Sequence, residues 1–460
     1  MYTRRHILKI GLAASAALLA SRFQGLSAPP QTADVVIIGA GVSGLAAASR
    51  LHANGMSVIV LEARERTGGR IWTLPWANGS HVDLGAFFIH HAEESPISEL
   101  CRTHGIATVE TPLDDAVMFN RTGRRLSPAE TEGAIAQFVF ILGALDQYAQ
   151  MQKQLGSPDM RLSQAIATVL ASLPGMTSEQ RDLFELTVSW YIRTAWGAEP
   201  ENLSFYATLE GTEIGQEDRA FPGGYGQVID VLAEGIDIRT SHIVQEIDYR
   251  SQTVAVHTNS GTFTAPKVIV TLPVGVLRRG NVLFTPALPA DKRQALLGAT
   301  PGVVNKLFLE FPSRFWDRDP VLLMAASNPA NQWPVFVNFA PVIDRPVLMG
   351  FLSGNVGIQS EQLSDQQLST QAVTHLRKLY GSRNVPNPVS VARTRWAADP
   401  YAQGSYPHFP FGSVYEDRAT LARPLDQRLY FAGDGTRGGD AEVRGAYSSG
   451  LRAADEILNN

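Results

Sequence analysis

Hydrophobic positions along this chain change their spacing three times. Between residues 34 and 62, two continuous apolar runs, Val35-Val36-Ile37-Ile38 and Val58-Ile59-Val60-Leu61, flank a stretch with apolar residues at helical spacing, Leu45, Ala46, Ala47 and Leu51. Short runs of β-branched residues with no polar break predict strands buried on both faces, so this part reads strand, helix, strand. From about 90 to 218 the helical period dominates. Ser127-Pro128-Ala129-Glu130 forms a capping box with proline at the first helical position, followed by Ile135, Phe138, Leu142 and Leu145. Further helices are predicted over 163–172, 178–196 and 364–380, the last stopped by Gly381. Strand patterning returns near 240. Residues 243–249, 253–258 and 267–272 read as strands, with turns at Ser251-Gln252 and Asn259-Ser260-Gly261. A last strand is predicted at 428–432, ahead of a C-terminal helix, and no internal repeat or long linker interrupts the order.

The first strand–helix turn carries chemistry. Gly39-Ala40-Gly41-Val42-Ser43-Gly44 follows the first strand, and the second strand closes on Glu62. Such a unit suits a dinucleotide. The glycines let the backbone turn tightly and approach a pyrophosphate at the positive end of the helix, and the carboxylate accepts from ribose hydroxyls. Gly68, Gly69 and Arg70 come soon after, a second backbone approach and a cation for the same diphosphate. Gly433 to Gly438 repeats the glycine spacing near the C-terminus. No strand follows it to present a second ribose acid, so it is not another site of that kind.

With these motifs the chain resembles the flavin amine oxidases, more closely their polyamine oxidase branch. The glycine pair and arginine after Glu62 match that family. So do Phe221-Pro222-Gly223-Gly224-Tyr225-Gly226 and Val268-Ile269-Val270-Thr271-Leu272-Pro273-Val274-Gly275-Val276-Leu277. Phe431-Ala432-Gly433-Asp434 and the later Gly445-Ala446-Tyr447-Ser448-Ser449-Gly450 resemble the segment that closes on FAD, with Asp434 in place of the usual glutamate. The resemblance implies an α/β fold with a Rossmann-type FAD-binding domain (34–85, 219–285 and 390–460) interleaved with an α+β substrate-binding domain (86–218 and 286–389). It implies FAD contacts from Gly39, Gly41, Ser43, Gly44, Glu62, Arg64, Gly69, Arg70, Ala86, Phe87, Val244, Gly433, Asp434 and Val443.

Lys306 is the strongest candidate for chemistry. It stands in Gly302-Val303-Val304-Asn305-Lys306-Leu307-Phe308-Leu309-Glu310-Phe311, where burying a lysine is costly unless something uses it. The alternative is a solvent-facing lysine on an edge strand. The resemblance favours the first reading, because the matching lysine of the family holds a water against flavin N5. Val82-Asp83-Leu84-Gly85-Ala86-Phe87-Phe88-Ile89-His90-His91 resembles a segment that puts Phe88 and His90 on the substrate side, with His91 where the family has glycine. Trp396-Ala397-Ala398-Asp399-Pro400 and Gly404-Ser405-Tyr406 match another substrate-side segment, in which Trp396 and Tyr406 are the candidates and Tyr406 is one wall of an aromatic cage. Covalent relatives carry a cysteine at Ser405, so non-covalent FAD is implied. At the second wall Asp440-Ala441-Glu442-Val443-Arg444 departs from the family pattern. Glu442 then faces the substrate, where it would hold a distant ammonium or deter a carboxylate, or it pairs with Arg444 or points elsewhere.

Composition narrows the field further. The 460 residues are 44% hydrophobic and 18% charged with a net charge of −5, enough for a large core and without the basic block that nucleic acid would require. The single cysteine, Cys101, excludes an intrachain disulfide framework and a cysteine-rich metal site, and no metal is expected. Thr3-Arg4-Arg5-His6-Ile7-Leu8-Lys9, a mild apolar stretch and the small-residue exit near Leu26-Ser27-Ala28 resemble a twin-arginine signal over residues 1–28. The other readings of that stretch are an uncleaved anchor or a chance arginine pair. The signal implies a periplasmic or secreted protein without stable membrane association once it is removed.

The activity implied is oxidation of a primary or secondary amine, polyamine-like favoured, to an imine and then an aldehyde, with O2 reduced to H2O2. An L-amino-acid oxidase is disfavoured because Gly85-Ala86-Phe87-Phe88 lacks the arginine expected for a substrate carboxylate. A carbon–carbon desaturase is disfavoured by Lys306 and by the 396–406 segment.

Overall fold

The protein is described by a computed structural model covering residues 31–76, 79, 81–113, 115–210, 217–318, 321–326, 333–438 and 442–460. The expected signal over 1–28, and Asp440 and Ala441 of the second wall, lie outside the described residues.

The apolar runs build a five-stranded parallel sheet in the order Asp237–Arg239, Val58–Leu61, Val35–Ile38, Lys267–Val270, Leu429–Phe431. Strands from three distant parts of the chain meet because Val35–Ile38, Val58–Leu61 and Leu429–Phe431 are buried along their whole length and Lys267–Val270 is buried beyond its first residue. Helix Val42–Ala53 follows the first strand, and the C-terminal helix Val443–Leu458 packs on it so closely that a Cβ at Gly450 would lie 2.1 Å from the Ser43 carbonyl oxygen. A second five-stranded sheet takes Gln31–Thr32, Gly261–Ala265, Val254–Thr258, Val244–Asp248 and Leu283–Thr285. The expected strand at 267–272 is not the third arm of this block. Gly261–Ala265 fills that role, and Lys267–Val270 crosses into the parallel sheet.

A six-stranded sheet forms the other half, ordered Ser390–Arg393, Val304–Glu310, Val347–Ser353, Val335–Asn338, Leu322–Ala325, Ala116–Phe119. Ser390–Arg393, which the sequence groups with the FAD-binding pieces, pairs here instead. Helix Pro128–Gln154 begins with the Ser127–Glu130 capping box, and Ser364 caps helix Asp365–Tyr380 in the same way. The single helix expected over 178–196 is an α-helix, Ser178–Val188, that widens into a π-helical turn at Ser189–Thr194. Within this turn the Thr194 hydroxyl donates at 3.1 Å back to the Ser189 carbonyl. Among the described residues no helix is long and apolar enough to cross a membrane.

Candidate functional site

The glycines of the first turn are each used differently. Gly39 has φ of +106°, and a Cβ there would lie 2.6 Å from the Thr271 hydroxyl. At Gly44 a Cβ would come within 2.0 Å of the Gly39 carbonyl oxygen, so the helix can start this close to the strand only with glycine. Gly41 differs: its φ of −79° suits any residue, and a Cβ there would meet no protein atom within 4 Å. Glycine at 41 therefore serves something other than the protein's own packing. The second glycine pair lies directly against it, with the Gly68 N–H donating to the Ala40 carbonyl at 2.8 Å and Gly69 in left-handed backbone at φ +58°.

Glu62 closes the cradle from the second strand. It is 6% exposed, and its carboxylate accepts from the N–H groups of Ala40 at 2.9 Å and Arg64 at 2.8 Å. Val244 is brought beside it because the preceding residues bond to the same loop: His242 N–H donates to the Glu62 carbonyl and Ser241 N–H to the Arg64 carbonyl. The C-terminal segment is fastened through serines. Ser449 accepts from the Gly433 N–H at 2.8 Å and lies 3.2 Å from the Ser43 hydroxyl. Val443 is the first residue of the C-terminal helix.

Arg70, expected on the diphosphate, and Arg64, expected among the FAD contacts, both have protein partners. Arg70 grips Asp434 with both terminal nitrogens, each at 2.7 Å, and also donates to the Ser405 carbonyl. Arg64 makes a two-point pair with Asp399 at 2.9 and 2.8 Å and lies over the Tyr401 ring. These pairs join the N-terminal motif to the 396–406 segment and the C-terminal loop. Sequence reading names Asp399 only within its motif and not as a partner of Arg64, a role that depends on contact with a residue 335 positions away.

Lys306 is not on an edge. Its strand lies between Ser390–Arg393 and Val347–Ser353, with all seven residues buried. The ammonium donates to the carbonyls of Asp83, at 3.2 Å, and Gly85, and stands 3.8 Å from the centre of the Phe87 ring. Burial pulls Lys306 down to about 7, against the opposing attraction of the Asp83 carboxylate. Burial likewise raises Asp83, which is held by the Thr73 hydroxyl and the Tyr225 N–H. The Ala86 N–H donates to the Arg70 carbonyl at 3.1 Å, so the segment under Lys306 is continuous with the glycine cradle.

The 396–406 segment is pinned at both ends to the lysine strand. Trp396 N–H donates to Asn305 Oδ1 at 2.9 Å. The Ser405 hydroxyl accepts from the Val304 N–H at 2.8 Å and donates to its carbonyl at 3.0 Å. The adjoining Tyr406 donates its hydroxyl to the Thr194 carbonyl of the π-helical turn. Trp396 is buried and packs edge-on against Trp72, whose ring lies under Arg66.

His90, Glu442 and Tyr406 are brought into one electrostatic neighbourhood. His90 Nδ1 donates to Asp218 at 2.6 Å, and its ring meets Phe88 edge-on at 5.8 Å. Burial lowers His90, but Glu442 and Asp218 outweigh it and hold it at about 9, with Arg444 opposing. Tyr406 is raised by burial and then by Glu442. His91 takes the left-handed φ of +52° that glycine adopts without strain, at the position where it replaces one. Asp218 was not legible in the sequence. Its partner is set by the pairing of Phe88–Ile89 with Arg219–Ala220.

The family of flavin containing amine oxidoreductases matches residues 42–458. The chain belongs to that family. It is 30% identical over 446 residues to polyamine oxidase 4 of Oryza sativa subsp. japonica, covering 94% of this chain and 89% of that protein. Lysine-specific histone demethylase 2 of Homo sapiens is 30% identical over 443 residues, 92% of this chain and 53% of the demethylase, so the chain spans about half the length of that relative. In fold the chain is similar to wild-type putrescine oxidase bound to putrescine, with a TM-score of 0.78 at 22% identity over 94% of this chain and 100% of that one. Membership implies a flavin, and the cradle fits one: the open position at Gly41 adjoins the N-terminus of helix Val42–Ala53, and the buried Glu62 carboxylate holds the Ala40 N–H of the same turn.

Proposed function

We propose that the protein is an FAD-dependent amine oxidase. A primary or secondary amine, polyamine-like favoured, is oxidised to an imine that water converts to aldehyde and residual amine, while O2 takes the two electrons and two protons as H2O2. The observation that carries this reading is Lys306, a buried ammonium bonded to the carbonyls of the same segment that touches the glycine cradle. FAD held by Gly39–Gly44, Glu62, Gly69, Asp434 and the N-terminus at Val443 supplies the electron acceptor for the carbon–hydrogen bond beside nitrogen and the reductant for O2. Lys306 as an ammonium has three N–H donors and gives two to carbonyls, which leaves one for a water or a reacting group. With its charge in balance near neutral pH it exchanges that proton readily. Phe87, Phe88 and Tyr406 exclude water from the amine end, and Glu442 favours a cation there. Peroxide release by the purified protein, assayed against mono-, di- and polyamines and amino acids, tests the reading. Turnover of amino acids in preference to amines would overturn it.

The flavin is non-covalent in this proposal, because the Ser405 hydroxyl is committed to Val304 and no cysteine stands in the segment. Acid or heat is therefore expected to release all the yellow colour into the supernatant. Colour left on the precipitated chain would contradict it.

Export through the twin-arginine route is also part of the proposal, carried by Arg4-Arg5 and the leader pattern. Replacing both arginines by lysine is expected to leave active, flavin-loaded protein in the cytoplasm. Cell fractionation that still finds the variant outside the cytoplasm would reject the route.

A further inference from the structure

Asp218 has no part in the reading so far, yet it pairs with His90 at 2.6 Å from a side chain only 12% accessible. The His90 side chain is 38% accessible while its Nδ1 is occupied by Asp218. The charged groups facing it are Asp218, beside strand Arg219–Ala220, and Glu442 and Arg444 at the start of the C-terminal helix. Arg219 itself is engaged elsewhere, with Glu217 and Thr108. With His90 protonated, these four groups carry two positive and two negative charges.

Resting on the amine oxidase reading, we propose that Asp218 is a positioning residue that, together with the charge of Glu442, keeps His90 a donor-only cation at the amine end, so that cationic ligands bind more tightly once His90 gives up its proton. The Asp218 carboxylate fixes the ring through Nδ1 and leaves Nε2 as the one nitrogen for a ligand. While His90 is charged, Nε2 can only donate. It then favours a carbonyl, a hydroxyl or the lone pair of a neutral amine, and opposes an ammonium. The sign follows from the raised value at about 9: the charge is fully present below the ordinary imidazole range and is lost as pH rises through about 9. Above that point the cluster is left with one net negative charge.

Amine substrates titrate in the same range, so the test uses a probe of fixed charge, a bis-quaternary alkyl diammonium, on the flavin-loaded enzyme. Its dissociation constant is read from the change it makes in the visible flavin band. The wild type is expected to bind it about tenfold more tightly above pH 9 than below pH 8, the change that accompanies a shift of one unit in His90 on binding. Asp218→Asn, with normal flavin content, is expected to move this transition down toward the ordinary imidazole range. His90→Gln should abolish it. A wild-type constant that does not vary with pH, or an Asp218→Asn transition still at about 9, overturns the proposal while leaving amine oxidation untouched. No band change from the probe at any pH, together with no peroxide from any amine, overturns both.

Discussion

Gly41→Ala is expected to fold as the wild type does and to purify almost without flavin. The backbone at 41 is one alanine adopts freely, and the added methyl would meet no protein atom within 4 Å, so nothing in the chain itself resists the change. What the methyl does occupy is the approach that the glycine turn leaves to a diphosphate. A clash of even ~1.4 kcal/mol reduces affinity about tenfold, and overpacking of a rigid contact commonly costs about 1–3 kcal/mol. Gly44→Ala provides the contrast. Its methyl would lie 2.0 Å from the Gly39 carbonyl, so the strand and helix must separate and stability falls along with flavin content. Flavin per chain and thermal unfolding of the flavin-free proteins distinguish the two. A Gly41→Ala protein that is fully yellow would mean that the cradle is not where the cofactor lies.

Lys306→Met is expected to bind flavin and to fold nearly normally, because methionine keeps the apolar part of a side chain that is 5% exposed. Flavin reoxidation by O2 should slow by at least about tenfold, or ~1.4 kcal/mol of transition-state stabilisation. A residue without a chemical role would show much less, since substitutions away from such sites stay within about 0.5 kcal/mol. The wild-type reoxidation rate should also vary with pH around 7, where burial has brought Lys306, and the variant should lose that dependence. Stopped-flow mixing of reduced enzyme with oxygen measures both. Wild-type rates and pH profile in the variant would leave Lys306 an ordinary buried strand residue.

What the sequence revealed follows from how local each feature is. The glycine turn, Glu62 and the strand carrying Lys306 are written in consecutive residues, and strand burial follows directly from runs such as Val35–Ile38. The capping boxes at Ser127 and Ser364 are equally local. Asp218, Asp399 and Asp83 were not visible as partners, because a lone acid shows nothing of the distant strand or loop it will face. The strand Gly261–Ala265 is short and rich in threonine and glycine, and its place is decided by pairing with Val254–Thr258 rather than by its own pattern. Ser390–Arg393 joins the lysine sheet for the same reason. The π-helical turn at Ser189–Thr194 is not revealed by helical periodicity. Trp396 is legible as part of its motif, but its ring partner Trp72, far away in sequence, is not.

The reading of the whole molecule comes down to whether an amine delivers electrons to the bound flavin. The yellow protein, freed of oxygen, should lose its visible flavin absorbance on mixing with a diamine or polyamine. Air should restore the colour with one peroxide formed per flavin. A flavin that stays oxidised with every amine, but is bleached by an amino acid or by a hydrocarbon that gives up two hydrogens to form a double bond, would contradict the account and return this site to a different chemistry.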